Sequence, residues 1–202
     1  MMKQQNDIHD FDVLISIDIG LTGGISFFDT VSGEVLAVYP MPSVKVTTST
    51  GRKKGELDLE KLKHILEIPR VHGDTALVIM ENVHAYPGQG SVATATLMEQ
   101  KGIIRGMCAG LGYTEEFVEP RTWQKHYDMI PPKDLKGGSA SKTKTLRKKW
   151  LKEKSLSVAK ERFPDWVEKI GKSDGLSDAL LIGRWFLSHE VEEAPLDNLG
   201  EE

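Results

Sequence analysis

The 202-residue sequence has a single cysteine, Cys108, so an intramolecular disulfide and a cysteine-rich zinc site are both excluded. It has no run of about 18 consecutive apolar residues, which excludes a conventional membrane-spanning helix. Residues 1–12 are polar and lack the basic and then apolar layout of a signal peptide. These absences predict a cytoplasmic protein that associates with no membrane.

Charge is small in sum but uneven along the chain. The formal net charge is −4, yet residues 133–162 hold eleven basic and three acidic side chains, while residues 190–202 hold six acidic and no basic ones. A basic block is commonly only a solvated surface, but beside carboxylates that bind a metal it indicates a polyanionic partner. The acidic composition of the C-terminus predicts a disordered tail.

Hydrophobic periodicity predicts strands early in the chain and helices late. Strands are predicted at 13–18, 25–29, 34–39, 75–80 and 114–119, and residues 41–56 are predicted to be a polar loop. Helices are predicted at 59–66 after an N-cap at Asp58, and at 92–109, 122–127, 142–150, 155–162 and 176–188. We therefore expect one domain, residues 13–188, between a polar extension (1–12) and an acidic tail (189–202).

The order of these elements limits the architecture. Three strands joined by tight turns form an antiparallel meander, and strands that follow helices pair in parallel. We predict an α/β fold with a mixed five-stranded sheet and helices on both faces. This is the layout of the ribonuclease H-like fold and of its actin-like relatives.

Four carboxylates stand where burying a charge is costly. Asp18 and Glu81 each end an apolar strand, and Asp174 and Asp178 lie four residues apart at the start of an apolar helix. Asp18 has an alternative role as a hydrogen-bond acceptor for the following glycine turn, and Asp174 as a helix N-cap. Four carboxylates without a His or Cys cluster indicate a hard cation such as Mg²⁺ or Mn²⁺.

Five segments in this order resemble the motifs of RuvC-type Holliday junction resolvases, in their bacteriophage form. The resemblance covers about residues 13–187, and the segments are SIDIG at 16–20, MENVHAYPGQG at 80–90, VEPRTW at 118–123, EKS at 153–155 with FP at 163–164, and DGLSDAL at 174–180. Two features depart from the bacterial enzymes: the spacing of four between Asp174 and Asp178 in place of three, and a longer basic connection over residues 128–150.

The resemblance implies a ribonuclease H-like fold and metal-dependent cleavage of four-way DNA junctions, in the host cytoplasm for a phage protein. It also implies two Mg²⁺ or Mn²⁺ ions, bridged by Asp18, that promote in-line cleavage of a phosphodiester bond and leave 5′-phosphate and 3′-hydroxyl ends. Lys154 matches a lysine that acts near the scissile phosphate. The implied metal ligands are Asp18, Glu81, Asp174 and Asp178, and the candidate DNA contacts are Arg121, Lys142, Lys144, Lys148, Lys149, Lys154 and Gln89.

Three further points stay open from the sequence. A non-catalytic binder of branched DNA on the same fold is one alternative function, and an actin-like or sugar-kinase-type ATP-binding protein is another, because Asp18 is followed by a glycine-rich turn. Trp123 is expected either to stack on unpaired bases or to pack in the core. The small residues of the helix at 92–109 predict either a homodimer contact or close packing on the sheet.

Overall fold

The computed structural model describes residues 7–84 and 90–193. The strands are β1 (Val13–Asp18), β2 (Gly24–Asp29), β3 (Val35–Pro40), β4 (Ser43–Thr47), β5 (Lys53–Leu57), β6 (Ala76–Glu81) and β7 (Thr114–Val118). The α-helices are α1 (Leu59–Leu66), α2 (Ile68–His72), α3 (Ser91–Leu111), α4 (Pro120–His126), α5 (Ala140–Arg162), α6 (Val167–Ile170) and α7 (Asp174–Glu193). Short 3₁₀ helices span Ile8–Asp10 and Pro164–Trp166.

Five strands form the main sheet in the order β3-β2-β1-β6-β7. β1 pairs antiparallel with β2 and parallel with β6, and β6 pairs parallel with β7. This arrangement confirms the predicted mixed sheet and its ribonuclease H-like topology. The central position of β1 and β6 explains why both strands are almost continuously apolar, since helices cover both of their faces.

Side-chain alternation divides the core into two clusters, one on each face of the sheet. Leu14 and Leu77 point to the side of α4, α5 and α7, whereas Ile15 and Val78 point to the side of α1 and α3. Ile8 is also buried in the first cluster, so packing begins a few residues before β1.

Helix α7 makes the closest contact with the sheet. The buried hydroxyls of Ser16 and Ser26 both donate to the carbonyl oxygen of Ala179, at 2.7 Å and 3.0 Å, so two polar groups of the core are satisfied by one helix carbonyl. One turn later, a Cβ on Gly183 would lie only 2.3 Å from Cε2 of Phe28. The glycine therefore sets the distance between α7 and β2.

The observed ends of the helices mostly agree with those predicted from the sequence. The Asp58 carboxylate caps α1 by accepting from the backbone N–H of Lys61 at 3.1 Å, as predicted. Gly112 ends α3 in the left-handed conformation with φ +79°. The last helix continues through Glu193, and residues 194–202 of the predicted acidic tail lie outside the described residues.

Two predictions about local structure are wrong. Residues 41–56 are mostly not a loop, because Val44 and Val46 alternate with polar residues in β4, which pairs with β5 in an antiparallel hairpin. The predicted helices at 142–150 and 155–162 are one helix, α5. Residues 151–154 contain neither Gly nor Pro, so nothing in the backbone interrupts the helix there.

No α-helix within residues 7–84 and 90–193 is long and apolar enough to cross a membrane.

The contact at Gly183 can be tested by substitution. We expect Gly183→Ala to lower the free energy of unfolding by about 1–3 kcal/mol, because the added methyl collides with the Phe28 ring. Urea denaturation measures this change. The matched control is Gly110→Ala in α3, where a Cβ meets no atom within 4 Å. The control should be neutral or more stable by up to about 1 kcal/mol, and a Gly183→Ala protein of unchanged stability would contradict the packing.

Candidate functional site

Asp18 and Glu81 lie side by side at the carboxyl ends of two neighbouring parallel strands. The register pairs Ile17 with Met80, so the next residues of β1 and β6 meet at the same edge of the sheet. Asp18 points to the same face as Ser16, and Glu81 to the same face as Ile79. Both carboxylates therefore point toward the face that α7 covers.

Glycine contacts bring the beginning of α7 to this edge. Gly23 forms a parallel bridge with Gly175. A Cβ on Gly175 would lie 2.1 Å from the Thr22 carbonyl oxygen, and a Cβ on Gly24 would lie 2.6 Å from the Gly175 carbonyl oxygen. Only residues without a side chain allow this approach, which places Asp174 and Asp178 beside the strand ends.

Three of the four carboxylates use one oxygen in a contact with the protein. The Trp123 indole N–H donates to Oε1 of Glu81 at 2.8 Å, and the Ser155 hydroxyl donates to Oδ1 of Asp178. Nζ of Lys152 lies 2.6 Å from Oδ2 of Asp174. Asp18 accepts no side-chain or backbone hydrogen bond from the described residues, so its predicted alternative role as an acceptor for the glycine turn is wrong.

The N-cap alternative for Asp174 is also wrong. The backbone N–H of Leu176 donates to the hydroxyl of Ser173 at 3.2 Å, so Ser173 caps this end of the helix. The Asp174 carboxylate instead forms the ion pair with Lys152.

The cluster concentrates negative charge in a poorly solvated place. Burial, followed by the charges of Asp178, Glu81 and Asp174, raises the pKa of Asp18 well above its ordinary value. Burial, with Glu81 and Asp174, raises the pKa of Asp178 to about 7, against the opposing effects of Ser155 and Lys152. Burial also raises the pKa of Glu81. Such repulsion is what a bound cation relieves.

The donor chemistry fits a hard divalent cation. All four side chains are partly buried carboxylates, and Asp18 has both oxygens available. Among the described residues, however, no three His, Cys, Asp or Glu side chains are already arranged as a metal site. Binding would therefore require the carboxylates to turn toward one another, which their partly exposed position permits.

The lysine in the cluster is Lys152, which the sequence analysis missed, and not Lys154. Residues 152 and 155 lie three apart on α5 and both contact α7 carboxylates. Lys154 is rotated away from this face, as helix geometry requires for a residue two positions after Lys152. The signal that could have identified Lys152 is its i, i+3 spacing from Ser155 on the helix that packs against α7.

Glu119 is a second residue that the sequence analysis missed. It follows β7, the third parallel strand, and accepts from Nδ2 of Asn82 at 2.8 Å, while Nε2 of His84 lies 3.2 Å away. The hydrogen bonds from His84 and Asn82 lower the pKa of Glu119, and its charge contributes to the raised pKa of Glu81. Glu119 could have been identified by the pattern that identified Asp18 and Glu81, which is a carboxylate at the end of a strand.

The candidate DNA contacts lie on exposed positions of two helices. Lys142, Lys144, Lys148 and Lys149 are exposed on the first half of α5, and Arg121 is exposed on the first turn of α4. Gln89 lies outside the described residues. Trp123 is fully buried and bonded to Glu81, so it packs in the core and does not stack on bases.

Comparisons with solved structures return Holliday junction resolvases. The chain is similar to Thermus thermophilus RuvC in complex with Holliday junction substrate (10% identity, covering 89% of this chain and 96% of that chain, TM-score 0.44) and to a second structure of T. thermophilus RuvC (13%, 89% and 96%, 0.44). It is also similar to the yeast mitochondrial Holliday junction resolvase Ydc2 (12%, 89% and 79%, 0.44). No protein-family model and no curated protein matches the sequence. Similarity at this level carries no information on activity, which has to be inferred from the chain's own geometry.

The raised pKa values of the buried carboxyls predict how the stability of the protein depends on pH. A carboxyl whose pKa is about 7 in the folded state and near 3.8 when unfolded binds its proton more tightly in the folded protein. The free energy of unfolding should therefore fall as the pH rises from about 4 to 7 in buffer with a chelator. Thermal unfolding measures the trend, and Asp178→Asn should make it shallower.

The matched control for this experiment is Asp165→Asn, at an exposed position away from the cluster. It should keep the wild-type pH profile. An Asp178→Asn profile as steep as that of the wild type would contradict the electrostatic description of the cluster.

Proposed function

We propose that this protein is a divalent-metal-dependent endonuclease that cleaves branched DNA, with four-way junctions as the main substrate. The observation that carries the proposal is the convergence of Asp18, Glu81, Asp174 and Asp178 at one edge of the sheet, directly beside α5. Carboxylates there supply metal ligands, and the lysines of the same helix supply contacts for a polyanion.

The four carboxylates would hold two Mg²⁺ or Mn²⁺ ions, with Asp18 among the ligands. Such ions would activate a water and stabilise the leaving 3′ oxygen, chemistry that would leave 5′-phosphate ends. The protein's part is to orient the ligands: Trp123 holds Glu81, and Ser155 holds Asp178. Such outer contacts fix the direction in which a carboxylate presents its remaining oxygen.

Lys152 has a distinct part in this arrangement. Its ammonium lies 2.6 Å from Asp174 and partly offsets the charge repulsion around Asp18 and Asp178. More than half of its side chain is exposed, at 58%. It can therefore turn from Asp174 toward a phosphate when the carboxylate takes a cation. Lys154, two residues further on, stays a candidate phosphate contact.

A panel of DNA substrates tests the function. Four-way, three-way, flap and linear duplex DNAs of matched sequence are incubated with the protein in Mg²⁺ or Mn²⁺. We expect cleavage of the four-way junction, little cleavage of the linear duplex, and none with a chelator. Absence of cleavage of every branched substrate in both metals would contradict the proposal.

Substitution of Asp178 separates cutting from binding. Asp178→Asn keeps the size of the side chain but removes its charge, so cleavage should fall by orders of magnitude. Binding measured by gel shift in Ca²⁺ should persist or tighten, because one negative charge facing the phosphates is gone. Asp165→Asn is the control. Asp174→Asn should follow Asp178→Asn, and a folded Asp178→Asn protein that cuts normally would contradict the assignment of Asp178 as a metal ligand.

The lysines of α5 are expected to bind DNA without taking part in chemistry. Replacing Lys142, Lys144, Lys148 and Lys149 with Ala should weaken binding to all branched DNAs. It should also lower the slope of log affinity against log salt by up to about 3.6, at about 0.9 per duplex phosphate contact. Gel shifts at several salt concentrations measure this slope, and an unchanged slope would mean that these side chains do not touch phosphate.

We also propose that the protein acts as a homodimer through α3, which suits the two symmetric cleavage sites of a four-way junction. The small residues of this helix face solvent and not the sheet: Ala93, Ala95, Gly102, Gly106 and Ala109 are all exposed. Close packing on the sheet therefore does not explain them.

Light scattering tests this interface. The wild type should have the mass of a dimer at micromolar concentration, and Gly106→Arg should shift it toward the monomer, because the long side chain blocks close approach. Monomeric wild-type protein, with and without junction DNA, would contradict the dimer.

A further inference from the structure

We propose that the β4–β5 hairpin (residues 43–57) is a second DNA-binding arm, which flanks the carboxylate cluster from the face of the sheet opposite to α5. This inference rests on the proposed function and names a surface that the resemblance to resolvases did not assign.

The hairpin is a separate two-stranded ribbon with little burial. Nearly all of its strand residues are exposed or partly exposed, and only Leu57 at its base belongs to the core. An isolated two-stranded ribbon is marginally stable in water. Its turn is nonetheless well formed, because the Thr48 hydroxyl donates to the Arg52 carbonyl oxygen at 3.0 Å and accepts from the Arg52 N–H at 3.2 Å.

The charge of the ribbon is strongly positive for a chain that is acidic overall. Residues 43–57 contain four cationic side chains and one acidic one, Glu56. Glu56 is paired with Lys54 at 3.4 Å. The other three cations, Lys45, Arg52 and Lys53, form no ion pair with any described residue.

One face of the ribbon carries only positive charge. The register pairs Ser43 with Leu57, Lys45 with Gly55 and Thr47 with Lys53, so these six residues share a face. Leu57 and Gly55 attach this face to the protein, since a Cβ on Gly55 would lie 2.9 Å from Cδ1 of Leu21. Farther toward the tip, the exposed Lys45 and Lys53 extend from the same face.

Leu21 links the ribbon to the candidate site. It lies in the turn three residues after Asp18, at the same edge of the sheet. The base of the ribbon packs in the core cluster of α1 and α3, whereas α5 packs in the cluster on the other face. The strand ends that carry Asp18 and Glu81 therefore lie between two positively charged elements.

The chemistry of this face fits a nucleic acid backbone. Lys and Arg side chains, and Ser and Thr hydroxyls, are among the protein groups that bind DNA phosphates. The ribbon supplies both kinds of group, with hydroxyls at Ser43, Thr47, Thr48, Ser49 and Thr50. A two-stranded ribbon also has the width that a DNA groove admits. The ribbon would therefore contact the phosphates of one arm of the branched DNA, the arm that leaves the cleavage site on the side away from α5.

Substitution of Lys45 and Lys53, the two lysines on the face shared with Gly55 and Leu57, tests this proposed DNA contact. Lys45→Ala/Lys53→Ala is compared with Lys63→Ala/Arg70→Ala, which removes the same charge from α1 and α2, toward the opposite end of the sheet. Gel shifts on a four-way junction in Ca²⁺ are measured over a range of salt. The hairpin variant should lose about two units of salt slope, and the control should keep the wild-type slope.

Crosslinking provides a readout that does not depend on affinity. Cys108 is buried, so Ser49→Cys at the hairpin tip introduces an accessible thiol that can carry a photoactivated crosslinker. Ser32→Cys, in the exposed β2–β3 turn at the opposite end of the sheet, is the control. We expect DNA crosslinks from residue 49 and none from residue 32.

The outcomes separate this inference from the function on which it rests. A wild-type protein that binds no branched DNA overturns both. A wild-type protein that binds and cuts junctions, while Lys45→Ala/Lys53→Ala keeps the full salt slope and residue 49 forms no crosslink, overturns the hairpin assignment alone.

Discussion

The close approach of α7 to the sheet is the contact on which the rest of the structure depends. It needs glycine at two places: Gly175 lies against the β1–β2 turn, and Gly183 lies against the Phe28 ring. Between them, the Ala179 carbonyl accepts the hydroxyls of both Ser16 and Ser26, which are buried in adjacent strands. A helix held at three points along its length cannot slide or rotate, so the side chains of its first turns have fixed positions relative to the strand ends.

That constraint has an electrostatic consequence. The same approach that builds the core buries Asp18 and brings Asp178 and Asp174 beside it. Burial first, and then these charges and that of Glu81, raise the pKa of Asp18. Lys152 offsets only part of this charge. A fold that concentrates partly buried carboxylates without matching cations is less stable for it.

Much of the fold and part of the site follow from local patterns. The apolar runs ending in Asp18 and Glu81 predicted both the strands and the carboxylates at their ends, because burial of a strand and the cost of burying a charge can be read from neighbours in sequence. The β4–β5 hairpin was missed because its strands are short, polar and exposed, so they lack the burial pattern that marks a strand.

The sequence alone determined the order of the five main-sheet strands and of the longer helices between and after them, the candidate acidic ligands and the basic character of the segment around α5. The tertiary structure alone decided which side chains meet. Lys152 rather than Lys154 faces the cluster, Ser173 rather than Asp174 caps α7, and Trp123 holds Glu81. These pairings join residues that local patterns cannot relate, because they depend on how α5 and α7 are rotated about their axes, and packing across the sheet sets that rotation.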